Sequence, residues 1–105
     1  MDLGEIQERL MKIVKIRVNS KGYELTTEQS FIHLVEEMGE VARQISHKAM
    51  RPEKFCNENL KEEIVDMLFE CIVMAETCDM DLGVEIEKKL KKLEVRFPDS
   101  LITEK

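Results

Sequence analysis

The apolar residues of the chain recur at helical spacing in four segments, and no stretch alternates as a strand would. The first segment runs from Leu3 to about Val18, and the Asn-Ser-Lys-Gly sequence at 19–22 is predicted to stop it. A threonine of the pair 26–27 can cap the second segment, which ends before Pro52. Both segments are therefore predicted to be amphipathic helices.

The third and fourth segments have similar boundary signals. Asn59 is predicted to cap the third helix, with Glu62 three residues later as in a capping box. This helix is apolar over most of its circumference, which is typical of a central helix. Asp81 is predicted to cap the fourth helix, and Pro98 closes it. The predicted fold is all-α, an antiparallel helical bundle of about four helices in a single domain over 1–105.

The apolar faces of these helices define the predicted core. Phe31 and Phe69 are both expected to be core residues. The other predicted core positions include Leu34, Val35, Met38 and Ile45 in the second helix, Ile64, Val65 and Leu68 in the third, and Leu82, Ile86, Leu90, Leu93 and Phe97 in the fourth.

Composition narrows the class of protein. The chain has 105 residues, 43% of them hydrophobic and 36% charged, which excludes a disordered chain. Its net charge of −6 makes a nucleic-acid polymer an unexpected partner, and no apolar run is long enough for a membrane span. Three unpaired cysteines, at 56, 71 and 78, favour a reducing, cytoplasmic location. A small anionic ligand would therefore require a metal ion or a local basic cluster.

Acidic residues gather beside the apolar faces of the second and third helices. Carboxylates on largely buried helices are costly unless they are paired, and few basic residues lie nearby. Carboxylates from two facing helices supply the hard oxygen ligands that Mg²⁺ or Mn²⁺ prefers. The predicted metal ligands are Glu37, Glu40, Glu63 and Asp66; Glu36 and Glu70 lie beside them.

Basic residues line one face of the fourth helix. Lys89, Lys92 and Arg96 are spaced three and four residues apart, and they are predicted to contact phosphate groups near the metal. Their position near the end of a helix also complements its dipole, which is the alternative explanation. In the first helix, Arg17 shares its helical spacing with the apolar residues Leu3, Ile6, Leu10, Ile13 and Val14.

Four polar or aromatic residues have weaker assignments. His33, Gln44 and His47 are expected to be exposed polar neighbours of the acids, although they could support the metal or contact a base. Tyr23, in the first loop, is expected to cover the edge of the core; stacking on a nucleobase is the alternative.

Together these motifs resemble the MazG-like nucleoside triphosphate pyrophosphohydrolases of the all-α NTP pyrophosphatase superfamily. The similar sequences are LVEEMGEVA at 34–42, EEIVDMLF at 62–69 and KLEVRF at 92–97. The resemblance implies Mg²⁺-dependent hydrolysis of an NTP or dNTP to the monophosphate and pyrophosphate. It also implies a homodimer or homotetramer with sites completed across subunits. Glu37, Glu40, Glu63 and Asp66 would hold Mg²⁺, while Lys92 and Arg96 would contact phosphates.

Several alternatives remain open from the sequence. The general base could be Glu36, Glu37 or Glu40, and the site could hold one metal ion or two. A dUTP- or dCTP-specific hydrolase would have the same acids. Phosphoribosyl-ATP pyrophosphatase is less favoured, since its ADLLYH sequence is replaced by VDMLFE at 65–70. A di-iron bundle would require Glu-x-x-His pairs, which these acids lack. A non-catalytic helical interaction module is the alternative from another class.

Overall fold

Four α-helices make up the fold of the protein. A computed structural model describes residues 1–22 and 24–102, so the prediction for Tyr23 lies outside the described residues. The helices are α1 (Leu3–Lys21), α2 (Thr27–Met50), α3 (Asn57–Thr77) and α4 (Leu82–Arg96). Two short 3₁₀ turns, Pro52–Lys54 and Asp99–Leu101, follow α2 and α4. The described ranges contain no strand, so the predicted all-α class with four helices is confirmed.

Side-chain caps start two of the predicted helices as expected. The Thr26 hydroxyl accepts a hydrogen bond from the Gln29 backbone N–H at 3.1 Å, and an Asp81 carboxylate oxygen accepts one from the Val84 N–H at 3.2 Å. At its other end, α1 extends three residues beyond the predicted Val18. The reason is that the stop signal is Gly22 alone, which adopts the left-handed conformation with φ of 71°.

The predicted capping box of α3 is wrong. The helix begins at Asn57, and no side chain caps it, so Asn59 and Glu62 both lie inside the helix. Phe55 and Cys56 leave the preceding 3₁₀ turn in an extended conformation. The Cys56 N–H, just before α3, donates to the Gln44 side-chain oxygen of α2 at 3.2 Å.

The closest helix pair is α2 with α3. A hydrogen bond of 2.9 Å joins the hydroxyls of Thr27 and Thr77, at the start of α2 and the end of α3, so the two helices are antiparallel. The first helix packs on α3, where the Gln7 side-chain amide donates to a Glu76 carboxylate oxygen at 2.8 Å and to the Met80 carbonyl at 3.1 Å. The fourth helix packs mainly on α1.

The core inside one chain is small. Its buried apolar residues are Met11, Ile72, Val73 and Ala75, where α1 crosses α3. Because α4 lies against α1, it leaves the apolar faces of α2 and α3 uncovered within the chain. The prediction that the apolar faces of α2, α3 and α4 form an internal core is wrong: Phe31, Leu68 and Phe97 are 55%, 52% and 61% exposed. The other predicted core residues that prove exposed are Val35, Met38, Ile45, Ile64, Val65, Ile86, Leu90 and Leu93.

The dimensions of the chain agree with this open packing. Its radius of gyration is 17.5 Å, whereas a compact domain of this length has about 13 Å. Its accessible surface is 8417 Å², against about 6,100 Å² for a compact monomer of the same mass. The single chain therefore exposes roughly 2,300 Å² more than a compact fold of its size would.

Across the described residues, each helix is too short or too polar to cross a lipid bilayer.

Candidate metal centre

Three of the predicted metal ligands converge between α2 and α3. One carboxylate oxygen from each of Glu37, Glu63 and Asp66 lies within 4.8 Å of the other two. Glu63 and Asp66 are three residues apart on α3, so both project toward the facing helix. Glu37 approaches from the antiparallel α2. The hairpin of α2 and α3 therefore brings residues that are 26 or more positions apart in sequence into one cluster, here called the acid cluster.

Without a bound cation, simultaneous ionisation of all three carboxylates in the acid cluster is unfavourable. The pKa of Glu37 is raised from 4.5 to about 7, chiefly because burial desolvates its carboxylate. A hydrogen bond with Glu63 and the negative charges of Asp66, Glu63 and Glu70 raise this pKa further. A metal-free cluster therefore retains a proton on Glu37 up to about neutral pH.

The donor set fits a hard divalent cation. None of the three clustered acids forms an ion pair within 4.0 Å in the described part of the chain. Carboxylates this close together repel each other unless positive charge is added, and their oxygens are the ligand type of Mg²⁺ and Mn²⁺. Glu37, Glu63 and Asp66 could therefore hold such an ion.

The two remaining predicted acids lie near the cluster but outside it. Glu36 lines the same cavity as Glu37 and Asp66. Glu40 lies about one turn further along α2, where its carboxylate pairs with the Arg43 guanidinium at 3.3 Å. A contribution of Glu40 to metal binding would require that exposed ion pair to open, which costs little.

A cavity of about 360 Å³ opens beside the acid cluster. Helices α1, α2 and α3 all contribute to this cavity, and α1 forms one wall. Its lining residues are Leu10, Val14 and Arg17 from α1, His33, Glu36 and Glu37 from α2, and Asp66, Phe69, Glu70 and Val73 from α3. The cavity combines an apolar wall with acids and two basic groups.

The contribution of α1 was missed from the sequence. Arg17, placed in the apolar stripe of α1, is the signal that could have indicated it, because a charge in such a stripe needs a polar environment. Burial raises the pKa of Glu70 in this cavity, while the positive charges of His33 and Arg17 act in the opposite direction. His33 was expected to be only an exposed neighbour of the acids; it is exposed and also lines the cavity.

The predicted phosphate-binding residues lie elsewhere in the single chain. Lys89, Lys92 and Arg96 are exposed on α4, which packs mainly on α1. The Arg96 guanidinium lies 5.4 Å from the centre of the Phe97 ring. No residue of α4 lines the cavity that contains Glu37 and Asp66. One chain therefore does not bring this basic face to the acid cluster.

The similarity of this chain to known proteins is consistent with an acid cluster between α2 and α3. Residues 25–101 match the family model of the MazG nucleotide pyrophosphohydrolase domain. The match spans more than half of the chain, so the protein belongs to the MazG family, as its motifs predicted. It is also similar to an uncharacterized protein, YpjD, of Bacillus subtilis (strain 168), with 32% identity over 69 residues. That alignment covers 63% of this chain and 62% of YpjD. Helix α1 lies outside the family match.

Addition of Mg²⁺ or Mn²⁺ should raise the melting temperature, and more so at pH 8 than at pH 5.5. Metal binding requires ionised carboxylates, and below its pKa of about 7 Glu37 carries a proton that the ion must displace. At a metal concentration of 100 times Kd the stabilisation is about 2.7 kcal/mol, which raises Tm by on the order of 10 °C for a chain of this size. Differential scanning fluorimetry at both pH values measures the effect.

The matched variant for this measurement is Glu37→Gln. It should melt higher than the metal-free wild type at pH 8, because it removes a carboxylate whose folded-state pKa is raised. It should also lose most of the metal-dependent shift. An equal rise for both proteins at both pH values would contradict the assignment of Glu37 as a ligand.

Proposed function

We propose that the protein is a Mg²⁺-dependent pyrophosphohydrolase that cleaves an NTP or dNTP between the α- and β-phosphates, releasing the monophosphate and pyrophosphate. The observation that carries this proposal is the convergence of Glu37, Glu63 and Asp66 in a member of the MazG family. A cavity large enough for part of a nucleotide opens directly beside those acids. Removal of damaged or unwanted nucleotides from the pool is a cellular role that suits this activity.

The metal would be held by Glu37, Glu63 and Asp66, with Glu40 as a further ligand. When bound, Mg²⁺ would neutralise phosphate charge and lower the pKa of a nearby water, with Mn²⁺ as a substitute. The side chains of the cluster serve to fix that charge next to the cavity in which the phosphate chain lies.

Hydrolysis also requires a group that takes a proton from water. The water oxygen attacks the α-phosphorus, the bond from this phosphorus to the bridging oxygen breaks, and pyrophosphate leaves with that oxygen. Glu36 lines the cavity without belonging to the acid cluster, so its carboxylate is available as the proton acceptor. Among Glu36, Glu37 and Glu40, we therefore favour Glu36 as the base that orients and deprotonates the water.

A second copy of the chain would complete both the fold and the site. The excess exposed surface and the apolar faces of α2 and α3 support this proposal. An excess of roughly 2,300 Å² on each chain is of the size that obligate homo-oligomers bury. In such a homodimer or homotetramer, α4 of one copy could reach the acid cluster of another. Lys92 and Arg96, with Lys89 beside them, would then contact the phosphates.

The experiment that tests this function is a turnover screen with product identification. The purified protein is incubated with Mg²⁺ and canonical, deoxy and damaged nucleoside triphosphates, and the phosphorus products are resolved by ³¹P NMR. At least one substrate should yield pyrophosphate and the monophosphate, and chelation of the metal should stop the reaction. The panel includes dUTP, dCTP and phosphoribosyl-ATP, so that it also tests the specialised activities.

Two results of this screen would contradict the proposal. Release of orthophosphate alone would mean cleavage at another bond. Absence of turnover for every nucleotide, together with no effect of Mg²⁺ on Tm, would favour the non-catalytic interaction module.

A further inference from the structure

A second cavity, of about 300 Å³, adjoins the one beside the acid cluster. Its lining residues are Arg17, Lys21, Gln29, Ile32 and His33. Arg17 and His33 line both cavities, so the two spaces meet at these side chains. A ligand that starts at the acid cluster can therefore extend into a region lined mostly by hydrogen-bond donors.

The donors on α1 and α2 lie in a row that leads away from the proposed metal ligands. On α2, His33 and Gln29 precede Glu37 by four and eight residues, which is roughly 6 Å and 12 Å along the helix axis. On α1, Lys21 follows Arg17 by four residues, so the two cations lie on one face, one turn apart. The acid cluster lies at the negative end of this row of side chains, and Arg17 and Lys21 lie at its positive end.

Within residues 1–22 and 24–102, neither cation is held in a short ion pair, although Arg17 lies close enough to Glu70 to act on the pKa of that carboxyl. Neither Arg17 nor Lys21 forms an ion pair within 4.0 Å with any described residue. Like charges one turn apart on a helix repel each other. The dipole at the end of α1 favours a cation at Lys21, and the nearby charge of Glu70 favours one at Arg17. Neither explains why both cations line one cavity.

We propose that Arg17 and Lys21 of α1, with His33 of α2, bind the phosphate chain of the substrate on the side away from the acid cluster. This inference rests on the proposed function for the identity of the ligand, a nucleoside triphosphate. It assigns binding residues to α1, which lies outside the part of the chain that matches the MazG domain. Arg17 can hold two phosphate oxygens with its planar guanidinium, and Lys21 acts as a point charge.

The test measures binding of inorganic tripolyphosphate in the presence of Mg²⁺ by isothermal titration calorimetry. The Arg17→Gln/Lys21→Gln variant should bind at least about tenfold more weakly than the wild type, because two charged donors are lost. Lys15→Gln is the matched control: it removes a charge from the same helix, at a position that lines a different cavity. It should change Kd by less than about twofold. Circular dichroism checks that each variant is folded.

Equal binding by the wild type and the double variant, or no binding by the wild type, would overturn this inference. If the double variant does not fold, Lys21→Gln, at the exposed end of α1, should still weaken binding by several-fold. A Lys92→Gln/Arg96→Gln variant in the same titration shows whether α4 contributes separately. Because tripolyphosphate binding needs no nucleotide turnover, the outcome is separate from that of the turnover screen. For an active enzyme, loss of the α1 cations should raise KM more than it lowers kcat.

Discussion

Replacing Asp66 by Asn should reduce nucleotide turnover by at least roughly a hundredfold, comparable to the loss of one group that stabilises transition-state charge. The substitution keeps the shape of the side chain and removes one of the three converging carboxylates. Since Asp66 is exposed, its replacement should leave the fold intact. Steady-state kinetics with saturating Mg²⁺ measure the effect, and the metal-dependent rise in Tm should shrink with it.

Glu62→Gln is the matched control for this variant. Glu62 is an exposed acid on the same helix and lies outside the acid cluster, so its loss changes the net charge by the same amount. It should retain nearly full turnover. Full activity of Asp66→Asn, or an equal loss in both variants, would mean that the cluster does not bind the catalytic metal.

Introducing a charge on the uncovered face of α2 and α3 should separate the subunits and abolish turnover. Leu68 and Ile45 are 52% and 55% exposed in the single chain, and we expect both to be buried between copies. Leu68→Arg or Ile45→Arg would place an unpaired charge in that interface, which is strongly destabilising. Light scattering after size exclusion should give a multiple of 12.3 kDa for the wild type and a smaller or unfolded species for either variant.

Ile16→Arg provides the comparison for the interface variants. Ile16 is also apolar and 68% exposed, but it belongs to α1 and not to α2 or α3. This variant should keep the wild-type mass and turnover. A wild-type protein that is monomeric and fully active would contradict the proposal that a second copy completes the site, and would make another partner the occupant of this face.

The fold was predictable where local signals act alone. Thr26 and Asp81 cap their helices through hydrogen bonds that lie within three residues. The start of α3 was not predictable in the same way, because no side chain caps it and the residue before it hydrogen-bonds to Gln44, twelve residues earlier. The apolar pattern identified the apolar faces of the helices, but it could not show which of them are covered within one chain. Phe31 and Leu68 illustrate that ambiguity.

The candidate site was predictable only where it depends on residue spacing within α2 and α3. Spacing along α2 and α3 predicted one acidic group of Glu37, Glu40, Glu63 and Asp66; the antiparallel hairpin brings Glu37, Glu63 and Asp66 together, with Glu40 outside the cluster. That α1 lines the cavity beside the acids could not be read from spacing, since it depends on how α1 crosses the hairpin. The position of α4 was likewise unpredictable: its basic face complements the acids in charge, yet the helix packs mainly on α1.

Hydrolysis in ¹⁸O-labelled water tests the central claim most directly. The protein is incubated with Mg²⁺ and the best substrate of the screen, and the products are analysed by mass spectrometry. Attack of water on the α-phosphorus predicts one ¹⁸O atom in the nucleoside monophosphate and none in the pyrophosphate. Label in pyrophosphate or in orthophosphate would place the attack at another phosphorus and contradict the proposed pyrophosphohydrolase activity.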